Sequence, residues 1–216
     1  MNPGRTRIKF CGITRLEDAL IAAELGVDVI GFVLVPGSPR QITLAQARAI
    51  RLALPPGPRT AGLVQNADAA LIEAVRTELA PDLLQFHGNE SPALVRGCGQ
   101  PYIRAVPMGD PQCWSDWEQD YPDAWALLAD SHSREGGGGS GTAFRWSDLP
   151  APDQRRRPLM LAGGLRPETV AEAIRSVHPW GVDVSSGIEA AKGRKDALKM
   201  RAFVAAVRAA DAQMDS

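Results

Sequence analysis

Lys9-Phe10-Cys11-Gly12-Ile13-Thr14 reads as a β-strand that ends in a thiol and turns into a helix. Ile8 and Phe10 fall on one face, with Lys9 and Cys11 on the other, which is the period-two alternation of a strand. Gly12 lets the backbone turn, or lets another group approach it closely. Thr14 and Glu17 have the T-x-x-E spacing of a capping box, which opens a helix. Cys11 therefore stands at the carboxyl end of a first strand, where parallel α/β proteins bind ligands. A thiol there can be a base, a nucleophile or packing, since free cysteine is among the most buried residue types.

The same unit recurs outward from this stretch. Apolar runs at 27–35, 60–65, 83–87, 102–107, 125–130, 159–162 and 181–185 read as further strands. Helical stripes separate them. Leu16, Ala19, Leu20 and Ala23 form the first, which stops at Gly26. Thr43 and Gln46 form a second capping box, and Ser91-Pro92 supplies an N-cap with proline at the first helical position. Ser115 and Glu118 have capping-box spacing before the sixth strand, and only a short helical segment, around 146–149, precedes the seventh. Val170, Ala173, Ile174 and Val177 stripe the next helix. Ala197, Met200, Phe203, Val204 and Val207 stripe the last. Strands that are apolar runs rather than clean alternations belong to a sheet covered by helices. Eight such units in one chain predict a single α/β domain over 1–216, a closed (β/α)8 TIM barrel. An open doubly wound sheet lacks support, because no G-x-G-x-x-G follows the first strand.

A chain of 216 residues suits that fold. Hydrophobic residues are 44% of it, enough for a core, and the net charge of -1 gives no electrostatic case for nucleic acid or an anionic membrane. No apolar run is long enough to span a bilayer, and the first residues lack the apolar region of a secretory signal. The three cysteines, Cys11, Cys98 and Cys113, form no C-x-x-C pair. A reduced, cytoplasmic protein is expected, acting as a monomer or homodimer on a small molecule. Cys98 and Cys113 are read as structural.

The chemistry is sought just past the strands. Leu161-Ala162-Gly163-Gly164-Leu165 follows the seventh strand and Asp183-Val184-Ser185-Ser186-Gly187 closes the eighth. Adjacent glycines expose backbone N–H groups and serines add hydroxyl donors, so together they can cradle a phosphate. Either pair alone is no more than a turn. In Ser38-Pro39-Arg40 a stiff loop presents a guanidinium whose fork suits a carboxylate or phosphate. Asp130 closes the sixth strand beside Ala126-Leu127-Leu128-Ala129. A carboxyl against so much apolar surface can act as a general acid, or it can cap the following loop. His87 ends the fourth strand in Gln85-Phe86-His87-Gly88, and a lone histidine there is more often a structural hydrogen-bonder than a catalyst. No histidines and carboxylates have metal-ligand spacing, so no metal is expected. The glycine-rich run at 136–141 has linker composition, yet it falls inside the repeating pattern, where a lid over the site belongs.

Together these motifs resemble those of the phosphoribosylanthranilate isomerase family of tryptophan biosynthesis, in order and over nearly the whole chain. The resemblance rests on Lys9 to Thr14, Ser38-Pro39-Arg40, Gln85 to Gly88, Asp130-Ser131, Gly139-Ser140-Gly141, Leu161 to Leu165 and the run from Gly181 to Glu189. It implies that Cys11 and Asp130 are catalytic and that Arg40 binds a carboxylate. His87, Gly163, Gly164, Asp183, Ser185, Ser186 and Gly187 are implied as substrate-binding. The lid region departs from the family: it carries extra glycines, Thr142 follows Gly141, and Arg145 stands where the family has aspartate.

The implied reaction is an Amadori rearrangement of N-(5-phosphoribosyl)anthranilate. Asp130 protonates the ribose ring oxygen and opens the ring to a Schiff base. Cys11 as thiolate removes the proton from C2. The Schiff-base nitrogen is the electron sink, so no cofactor is expected. Two other readings compete. Another phosphosugar isomerase would favour paired aspartates, against Cys11 and Arg40. A non-catalytic barrel that binds a phosphorylated ligand has no use for a thiol and a carboxyl at one mouth.

Overall fold

The structure, a computed structural model, describes residues 5–109, 112–131 and 145–214. Eight parallel strands close into a barrel in chain order: β1 (Arg7–Cys11), β2 (Val29–Val33), β3 (Arg59–Val64), β4 (Leu83–Phe86), β5 (Tyr102–Pro107), β6 (Ala126–Asp130), β7 (Leu159–Leu161) and β8 (Gly181–Val184). β8 returns to β1, with Lys9 in register with Asp183, so no edge is left open. The helices α1 (Leu16–Glu24), α2 (Leu44–Ala53), α3 (Ala69–Ala74), α4 (Pro92–Arg96), α5 (Trp114–Asp120), α6 (Val170–Val177) and α7 (Ala197–Met214) follow β1 to β5, β7 and β8. After β6 the described residues carry two 3₁₀ turns, Trp146–Asp148 and Pro152–Gln154, in place of a helix. The (β/α)8 expectation is met. Among the described residues no helix is long and apolar enough to cross a membrane.

Each strand buries both faces. Outward residues such as Ile8, Phe10, Phe32, Leu84, Phe86, Leu127 and Val182 meet the helices, as in the edge-to-face contact of Phe10 with Phe203 of α7 at 6.0 Å. Inward residues, among them Val29, Ala61, Leu83, Ile103, Leu128 and Met160, fill the barrel. Trp125 and Trp180 meet edge to face at 4.7 Å, with Arg59 over the first ring and Arg7 over the second. Trp125 precedes β6 and Trp180 precedes β8, so this cluster stoppers the N-terminal end of the barrel. The carboxyl ends of the strands remain for chemistry.

Local signals were met where no distant group competed. Thr43 and Gln46 make both bonds of their capping box, and Ser91 caps α4 ahead of Pro92. Thr14 and Glu17 do not. The Thr14 hydroxyl donates to the Gly193 carbonyl, Glu17 pairs with Arg15, and α1 starts without a side-chain cap. Ser115 and Glu118 also fail, because buried Glu118 accepts the backbone N–H groups of Arg156 and Arg157 at 2.7 and 2.9 Å. A short hairpin of β9 (Glu189–Ala191) and β10 (Arg194–Lys195) after β8 is an addition to the expected pattern.

Candidate active site

Cys11, at the end of β1, is buried in a cluster with Val33 of β2 and Leu63 of β3. Gly12 follows with φ of 71°, a left-handed conformation that favours glycine. A Cβ there would fall 2.6 Å from the Arg40 Cδ, so Gly12 supplies both the turn and the close approach. Arg40 thereby lies beside the thiol. Its Nε and Nη2 donate to the two carboxylate oxygens of Glu189 at 2.7 and 2.8 Å. Glu189 also accepts from Lys195 Nζ at 3.1 Å, and the same ammonium donates to the Ser185 carbonyl at 3.0 Å. The hairpin thus brings a carboxylate and a second cation under the phosphate-type loop.

Burial pushes the Cys11 thiol up, while Lys9 and Lys195 pull it back part of the way against Asp183. Burial raises the Glu189 carboxyl too, but its bonds from Arg40 and the Lys195 ammonium outweigh that and leave it below the usual carboxylate value. Those same bonds from Glu189 push Arg40 up. Burial pulls Lys195 down despite Glu189 beside it.

Asp130 ends β6 and is buried, and its Oδ2 lies 3.0 Å from His87 Nε2. Gln85, two residues before His87, puts its Nε2 3.3 Å from the other ring nitrogen. With Nδ1 accepting from Gln85, Nε2 carries the hydrogen and donates to Asp130. His87 therefore orients the carboxyl.

Gly163 and Gly164 stand past β7 with φ of 88° and 70°. A Cβ on Gly163 would meet Ser131 at 2.6 Å, whereas one on Gly164 meets nothing within 4 Å. Ser185 follows β8, and Ser186 and Gly187 open a 3₁₀ turn, Ser186–Ile188. Gly187 packs so tightly on the β7 loop that a Cβ would fall 1.9 Å from the Leu165 carbonyl oxygen. The two loops are one unit. Asp183 points into the barrel, where its Oδ1 accepts from Lys9 Nζ at 2.9 Å.

Every predicted site residue thus lies at the C-terminal mouth or, for Asp183, one layer beneath it. The expected lid at 136–141 lies outside the described residues. Lys9, Gln85, Glu189 and Lys195 are site residues to which sequence reasoning gave no role. A lysine inside an apolar strand was the available signal, since Lys is almost never fully buried unless paired. Cys98 is buried, as expected of a structural thiol, but Cys113 is exposed, with Sγ 2.9 Å from Ser115 Oγ. Its place just before α5 turns it to the surface. Among the described residues no group of His, Cys, Asp or Glu is arranged to hold a metal ion.

The family profile of N-(5'phosphoribosyl)anthranilate (PRA) isomerase matches residues 8–206. An N-(5'-phosphoribosyl)anthranilate isomerase of Xanthomonas euvesicatoria pv. vesicatoria is 46% identical over 213 residues, covering 96% of this chain and 95% of that protein. The crystal structure of phosphoribosyl anthranilate isomerase from Thermus thermophilus superposes with a TM-score of 0.84 at 37% identity, over 94% of this chain and 99% of the other. A second such isomerase, solved in complex with reduced 1-(o-carboxyphenylamino)-1-deoxyribulose 5-phosphate, gives a TM-score of 0.80 at 36% identity over the same shares. A match that runs from β1 to α7, on a closed barrel with a thiol and a carboxyl at its mouth, has one meaning: the chain belongs to the N-(5'-phosphoribosyl)anthranilate isomerase family.

Proposed function

We propose that the chain carries out its family's isomerisation with Asp130 as general acid and Cys11 as general base. The reaction is the Amadori rearrangement of N-(5'-phosphoribosyl)anthranilate to 1-(2-carboxyphenylamino)-1-deoxyribulose 5-phosphate, a step of tryptophan synthesis. Asp130 delivers its proton to the ribose ring oxygen. The C1–O bond breaks as the nitrogen lone pair forms the C1=N Schiff base. Cys11 thiolate then takes the proton from C2, and the electron pair of that bond moves toward the iminium nitrogen. The enolamine gains a proton at C1 and loses one from its C2 hydroxyl, which leaves the ketone. Asp130 and Cys11 end with their protons exchanged and return them through solvent or product.

One observation carries this reading. The thiol and the carboxyl end strands β1 and β6 of one closed barrel, both inward and both buried. A buried site weakens competition from water and strengthens the electrostatics of each proton transfer. Arg40 serves the anthranilate carboxylate. Glu189 occupies the Nε edge of its guanidinium, and among the described residues Nη1 makes no bond, so a second carboxylate can add there. The loops of Gly163, Gly164, Ser185, Ser186 and Gly187 serve the phosphate, with Lys195 as the cation behind them. Holding both anionic ends aligns C1 and C2 with the acid and base.

The test is direct. The purified chain is given N-(5'-phosphoribosyl)anthranilate, the loss of substrate fluorescence is followed, and the product is identified by mass and proton spectra. Conversion to the carboxyphenylamino ketose is expected. A folded chain that leaves the fluorescence unchanged contradicts the reading.

A further inference from the structure

One buried cation close to Cys11 takes no part in the steps above. Lys9 stands two residues before Cys11 on the same inward face of β1, and its side chain is wholly buried. Its ammonium donates to Asp183, the residue in register with it on β8, at 2.9 Å. On the other flank, Gly31 of β2 is in register with Cys11. A Cβ built on Gly31 would fall 3.1 Å from Lys9 Nζ and 3.3 Å from the Cys11 Cα. The Lys9 ammonium therefore rises one layer up the barrel, into the notch that a side chain at position 31 would fill, and reaches the level of the thiol. A lysine that is fully buried needs a reason, and Asp183 alone does not require it to extend toward Cys11.

We propose that Lys9 is a positioning residue for the isomerisation: its ammonium, held by Asp183 and admitted by Gly31, is the standing counter-charge to the Cys11 thiolate. The inference rests on the reading of Cys11 as the base. A thiol walled by Val33 and Leu63 is an inert, neutral group unless a cation shares its pocket. Four charged groups act at Cys11. Lys9 on β1, Lys195 on β10 and Arg40 after β2 favour the thiolate, and Asp183 on β8 opposes it. Lys195 and Arg40 share the one charge of Glu189, as Lys9 is paired with Asp183. Lys9 is the strongest of the favourable influences after the cost of burial itself.

Two variants test this. Lys9→Met keeps the stem and removes the charge. Gly31→Ala keeps every charge and fills the notch, so it remains informative if the first variant is poorly folded. The pH dependence of Cys11 alkylation by iodoacetamide is measured in the whole chain, with the modified peptide located by mass spectrometry to separate it from Cys98 and Cys113. The alkylation midpoint is expected to move up by about one pH unit or more in Lys9→Met, a tenfold loss of thiolate at fixed pH. The ascending limb of kcat/KM should move with it, and Gly31→Ala should shift both by less. An unmoved midpoint in a folded Lys9→Met or Gly31→Ala overturns the role of Lys9, while a dead Cys11→Ala leaves the base assignment standing. Full turnover in Cys11→Ala overturns the base assignment instead, and with it the catalytic meaning of Lys9.

Discussion

Arg40 grips Glu189 in two parallel bonds of 2.7 and 2.8 Å, although the two residues lie 149 positions apart. The guanidinium proposed to hold the substrate carboxylate is thus already aimed by a carboxylate of the chain. Arg40→Lys keeps the charge and loses the fork. A bond to a charged group contributes about 1.5–3 kcal/mol net. KM for the substrate should therefore rise roughly 10- to 100-fold, with a smaller change in kcat. Unchanged KM would remove Arg40 from substrate recognition.

Glu189 links Arg40 to Lys195, and its own side chain is almost wholly buried. Glu189→Gln leaves the Lys195 ammonium buried without its counter-charge, a change that costs about 3–5 kcal/mol. The loss should be pH-dependent. The carboxyl is held below its ordinary value of 4.5, so its stabilisation is complete above that pH. It is lost as pH falls through the lower, folded value. Urea midpoints should differ widely between wild type and Glu189→Gln at neutral pH and converge in acid. A gap of constant size would show that the charge of Glu189 does not stabilise the fold.

His87 and Asp130 meet at 3.0 Å, and Gln85 holds the far side of the ring. His87→Ala should reduce kcat by less than the ~10²–10⁴-fold a general acid supplies, with KM nearly unchanged. Steady-state kinetics separate this from a binding role, for which KM would rise and kcat would stay.

Gly187→Ala places a methyl 1.9 Å from the Leu165 carbonyl oxygen and must push the two loops apart. A destabilisation of about 1–3 kcal/mol is expected, together with weaker inhibition by inorganic phosphate. Wild-type phosphate inhibition in this variant would separate the loops from phosphate binding.

Much of this was legible in the sequence. The eight strands alternate with apolar stripes because each strand is buried on both faces, and that pattern is local. Capping by Thr43 and Ser91 was legible for the same reason. Thr14 was misread because its hydroxyl bonds a carbonyl 179 residues away, and Glu118 because it serves backbone groups 38 and 39 residues on. Long-range partners leave no spacing to read. The site divides in the same way. Cys11, Asp130, Arg40 and the glycine loops stand at strand ends and carried motifs, whereas the pairings of Lys9 with Asp183 and Arg40 with Glu189 exist only once the barrel closes. Lys9 was in plain view on the Cys11 face of the first strand, yet no rule of spacing joins it to β8.

The proposed mechanism requires Cys11 and Asp130 to exchange protons with the substrate. Turnover of Cys11→Ala and of Asp130→Asn, followed by the loss of substrate fluorescence, tests it most directly when paired with the affinity of each for a product analogue. A fall in kcat of ~10²–10⁴-fold or more is expected in each variant, with binding of the analogue and the urea midpoint close to wild type. Turnover near wild type in either variant, or lost turnover explained by unfolding of Asp130→Asn, would contradict it.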